Sequence, residues 1–204
     1  MTPAEIIDTD LATLAKSLRD RGEAFAIATV VRTVGATSAK AGAKALLLSD
    51  GTIAQGWIGG GCVCRALAKA VKSALIDGQP HLISLHPQEV LDEKGLHAGD
   101  LDQGVEYARN GCPSKGSIDI FVEPVMPMPE LIILGNSPVA TALASLTRGF
   151  QWSIVSDEDG SKLAQRPIVA RRMVVVASQG KNDLACLMAA LASQAESVAF
   201  VGSR

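Results

Sequence analysis

Three consecutive glycines, Gly59, Gly60 and Gly61, run directly into Cys62, and Cys64 follows two residues on. A backbone without side chains lets a ligand approach the main chain and offers its amides to an oxyanion or a phosphate. A helical apolar pattern begins at Cys62, so this thiol falls in a first turn, where the macrodipole and free amides favour a thiolate. Four readings fit the stretch: a phosphate site, a metal site, a catalytic thiol, or a tight glycine turn with a packed cysteine. Zinc is disfavoured, because no C-x2-C pair or histidine cluster completes a ligand set. Residues i and i+2 of a helix face nearly opposite sides, which assigns Cys64 to packing.

A second constellation is "GCPSKGS", residues 111–117. Cys112, Ser114 and Lys115 lie between Gly111 and Gly116. Lys115 offers a charge to a phosphate and Ser114 a hydroxyl; taken alone, the stretch reads equally well as a polar turn before a strand. A third is the run Gly135-Asn136-Ser137-Pro138-Val139-Ala140. It matches the dinucleotide fingerprint G-x-G-x-x-G/A at Gly135 and Ala140, with Ser137 in place of the middle glycine. Asp157 sits where a ribose-binding acid is expected. The substitution leaves two readings open, a working nucleotide site and a Rossmann-like scaffold without one. The remaining candidates are weaker. Cys186, inside "LACLMAALA", is a core residue. His81, His86 and His97 pair with no evident nucleophile, so no triad is expected. Asp92, Glu93, Asp100, Asp102 and Glu106 read as the solvated face of a loop.

The elements that must position these residues follow from periodicity. Thr2 as N-cap, Pro3 and Glu5 open a helix over 3–21, with Ile6, Ile7, Leu11, Leu14 and Leu18 on one face. Strands are expected over 24–31 and 43–49, and Asp50-Gly51 is a hairpin signal that returns residues 52–58 antiparallel. A helix over 62–76 closes at Gly78, with Leu67, Val71, Ala74 and Leu75 inward. A strand follows over 81–86. Residues 87–116, polar and glycine-rich, read as a long functional loop, and 118–124 as a strand. Pro124, Pro127 and Pro129 punctuate a domain boundary, giving units 1–125 and 130–204. Beyond it, strands alternate with helices, the pattern of a parallel sheet with right-handed crossovers. The fold class is therefore α/β: a mixed α/β unit, then a partial Rossmann-like unit.

Composition narrows the function. With 204 residues, 48% of them hydrophobic, there is ample material for a core. A net charge of -2 and 3% aromatic residues argue against nucleic-acid binding. There is no apolar run long enough to span a membrane and no signal-peptide pattern. The expectation is a cytoplasmic protein with reduced cysteines.

The stretches "IATVVRTVGATSAKAGAKALLLSDGTIAQGWIGGGCV" and "GCPSKGSIDIFVEPV", followed by a proline hinge and a degenerate Rossmann start, resemble the XdhC/CoxI family. The resemblance implies an accessory protein that binds molybdenum cofactor (molybdopterin). It would hand the cofactor to a xanthine or carbon monoxide dehydrogenase-type molybdenum hydroxylase apoenzyme, and interact with a cysteine desulfurase that supports sulfuration. The family's "GGGC" cysteine falls on Cys62. Its second motif reads cysteine-glycine-glycine where this chain has Ser114, Lys115 and Gly116, with Cys112 two residues earlier. A proline-arginine pair in the early loop is replaced by Ser38 and Ala39, with Lys40 after them. These departures resemble the CoxF-like branch. The implied cofactor-binding set is Gly59, Gly60, Gly61, Cys62, Cys112, Ser114, Lys115 and Gly116; Gly135, Ser137, Ala140 and Asp157 form a nucleotide set. A non-catalytic chaperone is expected, and a homodimer is compatible with it. The alternative is an NAD(P)-dependent oxidoreductase built on the Rossmann-like unit. The terminal "GSR" resembles a family motif that a helix normally follows, so a shortened Rossmann-like unit is expected.

Overall fold

The computed structural model describes residues 3–168 and 170–202, with the side chains of the first helix described from residue 10 onward. The expected N-cap Thr2, the side chains of Glu5, Ile6 and Ile7, and Ser203 and Arg204 of the terminal motif lie outside the described residues. The chain divides into two compact units, Met1–Met126 and Pro127–Arg204.

The first unit is a seven-stranded mixed sheet with helices on it. Helix α1 (Pro3–Asp20) precedes strand β1 (Phe25–Val34), β2 (Lys44–Leu48) and β3 (Ile53–Gly56), and helix α2 spans Gly61–Asp77. Strand β4 (His81–His86), helix α3 (Gln88–Glu93), β5 (Leu101–Asp102), β6 (Val105–Arg109) and β7 (Ser117–Val125) complete it. The sheet order is β3-β2-β1-β7-β4-β6-β5. Side-chain alternation divides β1 between two cores. Ala26, Ala28 and Val30 pack with Val63, Leu67, Val71 and Ala74 of α2 and with Ile83, Leu85, Ile118 and Ile120. Phe25 and Ile27 face the other side, where Leu11, Ala15 and Leu18 of α1 cover them. Of the inward face expected for α2, Leu67, Val71 and Ala74 are buried, and Gly78 closes the helix in the left-handed conformation at φ +69°.

The expectation of a structureless loop over 87–116 is corrected. The segment holds α3, and β6 pairs in parallel with β4, from Leu82 opposite Val105 to His86 opposite Arg109. Strand β6 carries Glu106 and Arg109 and lies near a sheet edge, so its sequence shows neither the apolar run nor the alternation of a buried strand.

The second unit is a four-stranded parallel sheet in the order β11-β10-β8-β9. Its elements are β8 (Glu130–Leu134), α4 (Pro138–Thr147), β9 (Ser153–Asp157), β10 (Arg172–Val176), α5 (Asp183–Ala192) and β11 (Ser197–Phe200). Helix α4 packs on the face of Leu131 and Ile133, and α5 on that of Ile132 and Leu134, as alternating crossovers require. A buried ion cluster ties the start of the sheet. Glu130, 3% exposed, receives Arg172 at 3.0 Å on one carboxylate oxygen and Arg166 at 2.7 Å on the other. No helix among the described residues is long and apolar enough to cross a membrane.

Removing one partner of a buried pair strands the other charge, which costs about 3–5 kcal/mol. Arg172→Leu is expected to destabilise the second unit toward the lower end of that range, because Arg166 remains on Glu130. Urea unfolding followed by Trp152 fluorescence in a Trp57→Phe background tests this, and an unchanged midpoint would refute it.

Candidate functional site

The glycine triplet divides its work. Gly59 has φ +133°, and a Cβ there would stand 3.0 Å from Val63 Cγ2. Glycine at this position lets the chain turn into α2. Gly60 and Gly61 are different: a Cβ at either would meet nothing within 4 Å. Gly60 is the N-cap and supplies no side-chain oxygen, while its carbonyl accepts the first helical bond from the Cys64 amide. The amides of Gly61, Cys62 and Val63 therefore open the helix without an intrahelical acceptor. Cys62, at the second helical position, is exposed; Cys64 is half-buried, its thiol directed to the Gly59 carbonyl at 3.7 Å.

The second motif reaches the same place. Asn110, which sequence reasoning missed, is buried and clamps this loop. Its amide nitrogen Nδ2 donates to the Gly116 carbonyl at 2.7 Å, its Oδ1 accepts from the Cys112 amide at 3.1 Å, and its main-chain N–H donates to the His86 carbonyl at 2.7 Å. Gly116 serves packing: a Cβ there would strike the Ala36 carbonyl and Thr37 Cγ2, so glycine lets residues 36 and 37 lie flat on the second loop. Gly111 faces Cys62, whose sulfur lies 3.5 Å from where a Gly111 Cβ would stand.

A cleft of about 370 Å³ results. Its walls are Thr37, Ser38 and Ala39 from the loop after β1, Gly60 to Val63 and Arg65 from α2, and Asn110 to Ser114 from the loop before β7. Of the expected set it unites Gly60, Gly61, Cys62, Cys112 and Ser114. Gly59 and Gly116 support the walls from behind. Lys115 is turned elsewhere: at φ +50° it sends its ammonium to Glu89 of α3 at 2.6 Å. The cation on the cleft is Arg65, three residues after Cys62 and hence on the same helical face. That i, i+3 spacing was the available signal for it.

Cys112 is the thiol with a perturbed environment. The Ser114 hydroxyl donates to its sulfur at 3.3 Å, and this bond, followed by that from the Ser114 amide, lowers the Cys112 pKa from the ordinary thiol value. Burial pushes the Cys186 thiol up, reinforced by the charge of Asp157, in keeping with a core cysteine.

His86 lies on the sheet face opposite to α2, since Ile83 and Leu85 occupy the α2 side. It is 4% exposed and bridges Ser117 Oγ at 2.7 Å and Ser84 Oγ at 2.9 Å; Ser84 in turn donates to Asp119, which pairs with Arg32. Burial, then the charge of Lys94, lowers its pKa and favours the neutral ring. This polar network ties β1, β4 and β7 together.

In the second unit the nucleotide set is committed to local backbone. Gly135, at φ +105°, has no room for a Cβ, which would stand 2.6 Å from the Ala177 carbonyl oxygen. The Ser137 hydroxyl caps α4 by accepting from the Ala140 amide at 3.1 Å, with Pro138 as first helical residue, and Ala140 is buried. Asp157, 2% exposed, accepts from the amides of Lys162 and Leu163 at 3.0 and 3.1 Å.

Because the thiolate is the reactive form, Ser114→Ala should move the pH midpoint of Cys112 alkylation upward, so that wild type reacts faster below the mutant midpoint. Iodoacetamide rates, read by mass spectrometry on the Cys112 peptide, check it; coincident profiles would refute the role of Ser114.

Comparison with known proteins adds three findings. No curated protein matches the chain. Among solved structures, that of a xanthine dehydrogenase from Bacillus halodurans aligns over 100% of this chain and 83% of its own, at 16% identity and a TM-score of 0.39, a distance at which no residue role transfers. Residues 18–86, which run from the end of α1 through "GGGC" to the end of β4, match the model of the XdhC and CoxI family, so that about a third of the chain is similar to that family.

Proposed function

We propose that this chain is an accessory protein that binds molybdenum cofactor and delivers it to a molybdenum hydroxylase of the xanthine or carbon monoxide dehydrogenase type. The observation that carries the reading is the convergence of Cys62 and Cys112, distant in sequence, on one cleft. The family match over residues 18–86, which contains the first of those loops, supports it.

The residues present fit such a group. Two exposed thiols are soft donors suited to a sulfur-rich metal centre. Gly60 and Gly61 leave open space where side chains would otherwise stand, and unbonded first-turn amides face anionic oxygens well. The cofactor, when bound, supplies a dithiolene-held metal centre for the redox chemistry of the recipient hydroxylase. The chain's own residues hold and release it. Cys62 and the α2 amides form a fixed wall. The Ser114 hydroxyl, donating to the Cys112 sulfur, favours its thiolate, and Ser38 adds a hydroxyl to the wall formed by the loop after β1.

Support for cofactor sulfuration through a cysteine desulfurase belongs to the same proposal. So does assignment to a carbon monoxide dehydrogenase-type branch, which rests on Ser38, Ala39 and Ser114-Lys115-Gly116.

Cys62→Ala and Gly61→Val test the reading with isolated molybdenum cofactor, scored by pterin fluorescence, bound molybdenum and reconstitution of an apo-hydroxylase. Each should lower affinity by about tenfold or more, the scale of one lost charge-assisted contact. Gly61→Val should do so with little change in thermal stability, since its Cβ meets no neighbour. Unchanged binding in both variants would overturn the proposal.

A further inference from the structure

A second cavity, of about 540 Å³, adjoins the cleft and shares three of its walls, Cys62, Arg65 and Gly111. Its floor is apolar, built from Ala66 of α2, Ile83 of β4 and Ala108 of β6. Its helix side is cationic. Cys62, Arg65 and Lys69 recur at i, i+3 and i+7 and so form one stripe along α2. Lys69 is held across the cavity by Glu106 at 2.5 Å. Arg65 is exposed and has no carboxylate or hydrogen-bond partner among the described residues. Arg109 also borders the cavity, but strand alternation places it with Tyr107 on the face away from α2, so it is not counted here.

A guanidinium unpaired among the described residues at the throat between two compartments, followed by a lysine that is itself well exposed while it pairs with the half-buried Glu106, is a setting for a multivalent anion. A guanidinium binds phosphate through two parallel N–H bonds, and an ammonium adds a point charge. We propose that the second cavity is a phosphate subsite continuous with the thiol cleft. Arg65 holds the phosphate of an elongated ligand whose core lies against Cys62, and Lys69 exchanges Glu106 for that phosphate. The proposal rests on the cofactor reading above and revises it in one respect: Arg65 takes the anion-holding role that the sequence assigned to Lys115. The apolar floor gives the subsite room for more than the phosphate itself, so the ligand class is an organic phosphate with a flat or apolar body.

Two probes separate this proposal from the parent one. The first is inorganic pyrophosphate alone, titrated into the full chain at millimolar concentrations and followed by backbone amide NMR. Shifts should centre on residues 62–69 and 106, and Arg65→Gln should weaken binding about tenfold, with Lys69→Gln giving a smaller loss. Lys16→Gln on α1 is the charge-matched control and should change nothing. The second probe is isolated molybdenum cofactor, compared between wild type and Arg65→Gln. Pyrophosphate binding that Arg65→Gln leaves unaltered, or no binding at all, overturns the subsite. Cofactor bound equally by wild type and Arg65→Gln also overturns it and leaves the parent reading standing. Pyrophosphate bound through Arg65 by a chain that takes up no cofactor sustains the subsite and removes the parent reading. Arg65→Lys, retaining charge without the planar fork, should recover only part of the loss.

Discussion

The antiparallel register of β1 against β7 is the constraint on which the cleft depends. Val34, the last residue of β1, stands opposite Ser117, the first of β7. The loop leaving one strand and the loop entering the other must therefore emerge side by side. Leu85 is opposite Ile118 across β4 and β7, and His86 is opposite Arg109 across β4 and β6, so these strand ends reach the same end of the sheet. Helix α2 is drawn onto this sheet by the burial of Leu67, Val71 and Ala74, and it starts where the loops meet. A slip of one residue between β1 and β7 would turn the inward set of one strand, Ala28 and Val30 or Ile118 and Ile120, away from α2 and dissolve the cleft with the core.

Most elements were legible in the sequence because each carries its own local signal. The hairpin at Asp50-Gly51, the helix closing at Gly78 and every strand and helix of the second unit combine a clear period with a turn residue. Strand β6 was not legible. Its stability comes from parallel pairing with β4, more than twenty positions earlier in the chain, and its sequence is half polar. At the site, the types and spacings singled out two loops that the fold brings to one cleft, but not the direction of their side chains. Lys115 looked like the anion's partner because it lay in the motif. Only its left-handed backbone and the proximity of Glu89 turn it away. Asn110 and Arg65 lay just outside what reads as motif, since a clamp and a helical neighbour depend on three-dimensional closure.

The second unit shows how the same residue types serve structure. Serine in the middle of a glycine fingerprint, followed by proline, makes a better helix start than a glycine would. An aspartate at a strand end, held by two amides, closes a turn. Gly135 is required by the close approach of the Ala177 carbonyl, independently of any ligand. The Glu130, Arg166 and Arg172 cluster anchors the opposite end of this sheet, where β8 and β10 begin.

The two thiols of the cleft are mounted on supports of different kinds. Cys62 rides on a seventeen-residue helix packed into the main core, whereas Cys112 rides on a short loop whose shape depends largely on one side chain, Asn110. The cleft thus has one wall set by the main core and one wall set by a single clamp. Breaking the Asn110 hydrogen bonds would reshape the second wall alone, leaving the helix and its core undisturbed. The two thiols are therefore separable: the spacing between them is governed by one asparagine, not by the packing of the sheet.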